Sequence, residues 1–168
     1  ERFNLLEKEL HEAIPDNVEY KHYLAISYQL LGNTYTSNGN LDIALESFKR
    51  FNLLEKELHE AIPDNVEYKH YLAISHQWLG ITYTSNGNLE EAKEKFELFN
   101  QLEKELHETY PDNVDYKNFL AISYQWLGNT YTSNGNLDIA LESFERFNLL
   151  EKELHEAIPD NVEYKHYL

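Results

Sequence analysis

The sequence has no cysteine, no methionine, few glycines and prolines, and few cations. Without cysteine, disulfide frameworks, thiolate zinc sites and cysteine nucleophiles are excluded. No apolar run approaches the roughly 20 residues of a membrane-spanning helix, so we expect no membrane span. Fourteen Lys and Arg residues stand against thirty Asp and Glu residues, giving a net charge of -16. Because nucleic acids and anionic membranes are bound through Lys and Arg, this charge disfavours both as partners.

The chain opens with Glu1-Arg2-Phe3 rather than with methionine. We therefore expect a piece of a longer protein or a processed form, in which targeting signals cannot be assessed. Localisation stays open on these grounds. The cytoplasm is favoured, and secretion is not excluded because a large helical array can be stable without disulfides.

A repeat of 48 residues organises the chain, and each copy opens with the tripeptide Pro-Asp-Asn. Copies one and three differ at five of 48 positions, and copies one and two at twelve. A fixed period of about 20 to 50 residues is typical of a solenoid or another repeat array. The sequence predicts the end of a second helix at 1–14, repeats at 15–62, 63–110 and 111–158, and the start of a first helix at 159–168.

Within one copy the apolar spacing is helical. In copy one the residues of one helical face are Tyr20, Leu24, Tyr28, Leu31 and Tyr35, at steps of three and four. Asp16 or Asn17 can cap the start of this helix, and Gly39 can end it. A second amphipathic stretch runs from near Asn40 until Pro63 stops it. Each copy is therefore expected to be a hairpin of two helices of about 20 residues, with no strands.

Differences between copies separate the expected core from the rim. Four apolar positions keep their type in copy two: Phe48, Phe51, Leu54 and Leu58. Three others become Glu91, Lys93 and Gln101, in place of Ile43, Leu45 and Leu53. Because a buried site does not accept a charge without a partner, we assign the first set to the core and the second to the rim or solvent face.

At this level of detail the copies resemble the tetratricopeptide repeat family. The matching residues of copy one are Tyr28, Leu31-Gly32, Tyr35, Gly39, Ala44 and Phe48, and they recur at the same spacing in the other two copies. Two departures are the period of 48 instead of 34, and Phe51 at a position where the family has alanine. The longer copies are similar to the kinesin light chain type of array. The resemblance implies an all-α, right-handed α-solenoid of antiparallel helix-turn-helix repeats.

The resemblance also implies a concave groove lined by the first helices, which binds an extended peptide or a helix. Each copy contributes one polar stripe to this groove, beginning at Glu19, Glu67 and Asp115. The candidate groove residues are His22, Ile26, Gln29, Asn33, Thr36, His70, Ile74, Gln77, Trp78, Ile81, Thr84, Asn118, Ile122, Gln125, Trp126, Asn129 and Thr132. Ladders of Gln and Asn amides can hydrogen-bond a peptide backbone, although polar faces are also common as plain solvated surface.

Two features of the groove leave alternatives open. Trp78 and Trp126 replace Leu30 at its edge, where each is either a binding anchor or a wedge between consecutive repeats, and the wedge is favoured. The stripe carries no Lys or Arg, so the carboxylate clamp of chaperone-binding family members is not expected. An acidic rim instead favours a neutral or basic protein or peptide.

Catalytic, cofactor and metal sites are not expected. Four histidines recur near the end of the second helix: His11, His59, His107 and His155. A cation there favours the helix dipole, which is sufficient reason for them. No two histidines of a copy share the three- or four-residue spacing of metal ligands on one helix. The sequence also lacks a Gly-rich phosphate loop and a nucleophile elbow, so we expect no enzyme.

We therefore expect a protein-interaction scaffold that binds a peptide or helix in its groove, within a longer multidomain chain. The alternative is a structural protein whose copies stack head to tail into a rod or filament. This alternative follows from the identity of residues 1–24 with 145–168.

Overall fold

The computed structural model describes residues 2–14 and 17–157, and this part of the chain contains helices and no strand. The helices are α1 (Arg2–Ala13), α2 (Val18–Ser37), α3 (Leu41–Ala61), α4 (Val66–Ser85), α5 (Leu89–Thr109), α6 (Val114–Ser133) and α7 (Leu137–Ala157). They fall into two compact units, Glu1–Asn88 and Leu89–Leu168. In the first unit α1 packs on α2, α2 on α3 and α3 on α4; in the second, α5 packs on α6 and α6 on α7.

Asparagine side chains begin the first helix of each hairpin. Asn17 Oδ1 accepts a hydrogen bond from the Tyr20 backbone N–H at 3.0 Å, and Asn65 and Asn113 do the same for α4 and α6. This satisfies one of the backbone donors that a helix start leaves without a partner. Asn17 is thus the cap of α2, while Asp16, the other predicted candidate, lies outside the described residues.

A left-handed glycine joins the two helices of each hairpin. Gly39 has φ +74°, and a Cβ there would meet nothing within 4 Å, so the backbone angle rather than space selects glycine. The Asn40 N–H donates to Tyr35 O at 2.9 Å, and the Gly39 N–H donates to Thr36 O at 3.0 Å. These two bonds form the Schellman arrangement that ends a helix.

The core of the first unit lies between the helices of its hairpins. Its buried cluster consists of Ala25, Ala44, Phe48, Phe51 and Leu79. A Cβ on Gly32 would lie 2.5 Å from Phe48 Cε1, so glycine lets the Phe48 ring lie directly on the α2 backbone. In the second unit Gly128 has the same relation to Phe144.

The predicted division into core and rim agrees with the structure at most positions. Phe48, Phe51 and Leu58 are buried, whereas Ile43 and Leu53 are half exposed. Among the exceptions, Leu54 and Leu45 are both only partly buried against the core, although one was assigned to the core and the other to the rim. A further exception is Phe144, the counterpart of the core residue Phe48 in copy three, which is only partly buried because no described helix covers α7 on that side.

Candidate protein-interaction surfaces

In the first unit, the polar stripe on α2 and α4 is partly exposed along most of its length. Half-buried positions on α2 are His22, Ile26, Gln29, Asn33 and Thr36; on α4 they are His70, Ile74, Gln77 and Ile81, with Thr84 exposed. Ile26 and Ile74 also pack against the buried cluster. Asn33 Oδ1 is shielded from water and has no hydrogen-bond partner among the described residues. The stripe is therefore an amide-rich surface on an apolar base.

In the second unit, the stripe on α6 is more open toward its C-terminal end. Asn118, Ile122 and Gln125 are half buried, and Asn129 and Thr132 are exposed. The Thr132 hydroxyl donates to Gly128 O at 2.8 Å, and Thr36 bonds Gly32 O in the same way in α2. Because these hydroxyls bond their own helix, the amides rather than the threonines are the free polar groups of the stripe.

Both tryptophans pack between consecutive helices of neighbouring hairpins. The Trp78 ring on α4 stacks on Phe48 of α3 with centroids 5.4 Å apart and planes 5° from parallel. Trp126 on α6 stacks on Phe96 of α5 at 5.0 Å and 4°. This stacking is what the wedge interpretation expects, and because both tryptophans are only partly buried, their role as binding anchors stays a prediction.

A buried carboxylate on the second helix was missed by the sequence analysis. Glu55 on α3 is 0% exposed, and its Oε1 accepts a hydrogen bond from His22 Nδ1 on α2 at 2.8 Å. The His22 ring also lies edge-on to Tyr71 of α4, with centroids 4.8 Å apart. His22, assigned to the groove, thus serves in part as an internal ion-pair partner. The spacing of Phe51, Glu55 and Leu58 on one helical face was the signal that could have revealed this site.

The pKa values of this pair follow from burial and proximity. Burial opposes protonation of His22, but the hydrogen bond to Glu55, its charge and the charge of Glu67 outweigh burial and raise the histidine pKa. Burial also raises the pKa of Glu55, with His22 acting in the opposite direction. The pair therefore holds its protons more tightly in the folded chain than in the unfolded one.

Copy three lacks the histidine of this pair. Asn118 occupies the position of His22, and Glu151 occupies the position of Glu55. Glu151 is only 2% exposed, its Oε2 has no hydrogen-bond partner among the described residues, and burial raises its pKa. The second unit therefore contains a buried acid that lacks the cationic partner present in copy one.

Replacing Asn118 with histidine is expected to stabilise the chain by about 1–2 kcal/mol below pH 6.5, because a protonated imidazole would hydrogen-bond the buried Glu151 carboxylate. By analogy with His22, the folded-state pKa of this histidine would lie above its ordinary value. The gain is then complete below the unfolded-state pKa and is lost as the pH rises through the folded-state pKa. Urea unfolding of Asn118→His and of the control Asn118→Gln, at pH 6 and pH 9, measures it. An equal gain from glutamine would contradict a charge-based role.

Three of the four histidines near the ends of the second helices lie where the sequence predicts them. His59, His107 and His155 lie in the last turns of α3, α5 and α7, and the side chain of His11 is outside the described set. Burial and the nearby Lys117 lower the pKa of His107, so its neutral form is favoured. The helix-dipole explanation of these histidines stays a prediction. Within residues 2–14 and 17–157, no three His, Cys, Asp or Glu side chains are grouped to hold a metal ion.

The described hairpins and their packing residues define an all-α array of antiparallel helical repeats. The tetratricopeptide repeat family model matches residues 25–57 and 121–153, which span α2–α3 and α6–α7. Two segments of the chain thus match the tetratricopeptide repeat, in agreement with the predicted resemblance, and the all-α fold class is confirmed for the described residues. The right-handed twist and the repeat limits at the prolines stay predictions.

Comparison with solved structures finds similar helical chains at low identity. A crystal structure of MamA has a TM-score of 0.39 and 22% identity, covering 89% of this chain and 87% of that chain. A second MamA structure has a TM-score of 0.37 and 23% identity, covering 95% of this chain and 85% of that chain. The DHF79 filament has a TM-score of 0.39 and 11% identity, covering 99% of this chain and 91% of that chain. Comparison with curated protein sequences finds no match. With TM-scores below 0.5, no functional conclusion follows from these likenesses.

None of the helices within the described residues combines the length and apolarity that crossing a bilayer requires.

Proposed function

We propose that this protein-interaction repeat scaffold binds an extended peptide or a helix of a partner protein along its polar stripes. The observation that carries the proposal is the set of half-buried amides on α2 and α4, at Gln29, Asn33 and Gln77. An amide offers both a donor and an acceptor, so a row of them matches the alternating groups of a peptide backbone. No catalytic step, cofactor or metal is part of this function.

The charge of the chain favours a neutral or basic partner. The stripe of the first unit starts at exposed carboxylates, Glu19 and Glu67, and the net charge of the whole chain is -16. A basic segment would be steered toward this surface and an acidic one repelled, and salt would weaken both effects. The same charge leaves nucleic acids and anionic membranes outside the proposal.

Selection of peptides from a random display library on the immobilised chain tests this function. Selected peptides should be neutral or basic, and their affinity should fall about tenfold in a Gln29→Ala, Gln77→Ala double variant, since each lost hydrogen bond is worth about 0.5–1.5 kcal/mol. Gln101→Ala is the matched control, because Gln101 is exposed on α5 outside the stripes. The proposal fails if no peptide is enriched, or if the control and the double variant lose affinity equally.

The second candidate function is structural self-association of the chain. The observation that favours it is the exposure of large apolar side chains on α7, among them Leu137 and Leu141. Large exposed apolar patches are characteristic of interaction surfaces. Sedimentation velocity at tens of micromolar protein distinguishes the two candidates, because a chain that stays monomeric at low and high salt cannot form a filament.

A further inference from the structure

Two helices with almost the same sequence have different surroundings. Residues 41–61 of α3 and 137–157 of α7 differ only by Lys49 and Glu145, and both of these side chains are exposed. In the first unit α3 is covered by α4, as the stacking of Trp78 on Phe48 shows. Asn52 Nδ2 also donates to Ser75 Oγ across this contact at 2.7 Å. The covered helix α3 is therefore an internal reference for α7.

Comparison with α3 shows which face of α7 is open. Leu41 and Leu45 are partly buried, whereas Leu137 and Leu141 are 64% and 59% exposed. Phe48 and Phe51 are fully buried, and their counterparts on α7 are only partly so. We call this set the open face: Leu137, Leu141, Phe144, Phe147 and Asn148.

Other apolar side chains of the two helices do not differ. Ile43 is 50% and Ile139 46% exposed, and Leu53 and Leu149 are both 49% exposed. The difference is thus confined to the surface that a helix equivalent to α4 would cover. Ile139, an apolar side chain like Leu141, lies just outside the open face and can therefore serve as its control.

The first hairpin presents a complementary surface that α1 covers in part. Asn4 Nδ2 of α1 donates to Ser27 Oγ of α2 at 2.8 Å, which repeats the contact between Asn52 and Ser75. Because α1 corresponds only to the C-terminal part of α7, it leaves the C-terminal half of α2 uncovered. Leu30, at the position of Trp78, is 52% exposed there.

We propose that the open face of α7 docks α2 of a second copy of this chain, and that the C-terminal part of α7 then replaces α1. The proposal rests on the self-association function and names its two surfaces. Residues 1–14 and 145–158 have the same sequence, so the exchange replaces α1 contacts by identical ones, with Asn148 taking the place of Asn4 at Ser27. The net gain is burial of Leu137, Leu141 and Leu30.

This docking joins the back of one copy to the front of the next. A heterologous contact of this kind propagates into linear assemblies unless its rotation closes a ring. Net negative charge on both partners opposes it, so added salt should strengthen it by screening. Residues 159–168, which repeat 15–24 in sequence, lie outside the described residues.

Sedimentation velocity of the full 168-residue chain and matched variants tests the surfaces. Leu141→Glu should weaken association at least about tenfold, because it places a charge in the buried contact. The association constant of Ile139→Glu should stay within about twofold of that of the unchanged chain, because the counterpart Ile43 remains exposed beside α4. An equal mixture of Leu141→Glu and Leu30→Glu chains should form dimers and nothing larger, since only one intact junction is possible.

A separate test addresses the replacement of α1 by the C-terminal part of α7. The same substitution, asparagine to alanine, should change the strength of association in opposite directions at residues 4 and 148. Asn4→Ala loosens α1 from Ser27 and should strengthen association about three- to tenfold, whereas Asn148→Ala should weaken it by a similar factor. Circular dichroism confirms that each variant stays helical.

The outcomes separate the two levels of the proposal. A strict monomer under all conditions removes the self-association function itself. If Leu141→Glu does not weaken association, or if Ile139→Glu weakens it equally, the proposed docking surface is wrong. Self-association itself would remain supported. Weaker association of Asn4→Ala overturns the exchange with α1.

Discussion

Replacing Phe48 with alanine is expected to lower the free energy of unfolding by about 3–5 kcal/mol, the cost of a large cavity in a core. The Phe48 ring is fully buried, contacts the α2 backbone where Gly32 leaves room for it, and stacks on Trp78 of α4. Its loss therefore weakens both its own hairpin and the contact with the next one. Urea unfolding followed by circular dichroism measures the effect.

Two control variants test whether the lost free energy of unfolding comes from removal of the buried Phe48 ring. Phe144→Ala removes the same side chain where it is partly exposed, so the loss should be clearly smaller. Lys93→Ala should change the free energy of unfolding by no more than about 0.5 kcal/mol, because Lys93 only pairs with the exposed Glu90 on its own helix. Similar losses at all three positions would contradict the assignment of faces.

Replacing His22 with alanine is expected to cost about 3–5 kcal/mol, because it leaves the Glu55 carboxylate buried without its partner. A His22→Ala, Glu55→Leu double variant should recover most of this loss, since an apolar pair of similar volume needs no compensation. Unfolding of the two variants in urea at pH 6 gives both values. The pair would not be an electrostatic unit if the double variant lost the sum of the two single losses.

The pH dependence of this loss has a definite sign. Since the folded-state pKa of His22 is raised above its ordinary 6.5, its contribution is complete below that value and declines as the pH rises through the folded-state pKa. The stabilisation that protonated His22 contributes should therefore be larger at pH 6 than at pH 9.

The sequence predicts the fold well because the fold depends on local patterns that recur three times. Helical spacing, the asparagine after Pro-Asp, and the glycine before each second helix each act within a few residues of chain. The predicted hairpins and the cap at Asn17 follow from these local rules. Comparison of copies also identified Phe48 and Phe51 as core, because both positions are Phe in every copy.

The site was predicted less well because it depends on contacts between helices. His22 belongs to the stripe by spacing, yet its partner Glu55 lies 33 residues further along the chain. A rule that buried positions exclude charge assigns Glu55 to the surface, unless a partner on another helix is known. The role of Trp78 was left as two alternatives for the same reason, since its stacking partner Phe48 lies on another helix.

The repeated bonds from asparagine to serine have a consequence for how the chain folds. Asn4, Asn52 and Asn100 bond Ser27, Ser75 and Ser123 at 2.7 to 2.8 Å, through side chains that are the same in each copy. During folding, a first helix therefore gains the same hydrogen bond from the wrong copy as from the right one. Mispaired intermediates of this kind are characteristic kinetic traps of repeat proteins. The few positions at which the copies differ, such as Leu30 against Trp78, are what gives the correct pairing its energetic advantage.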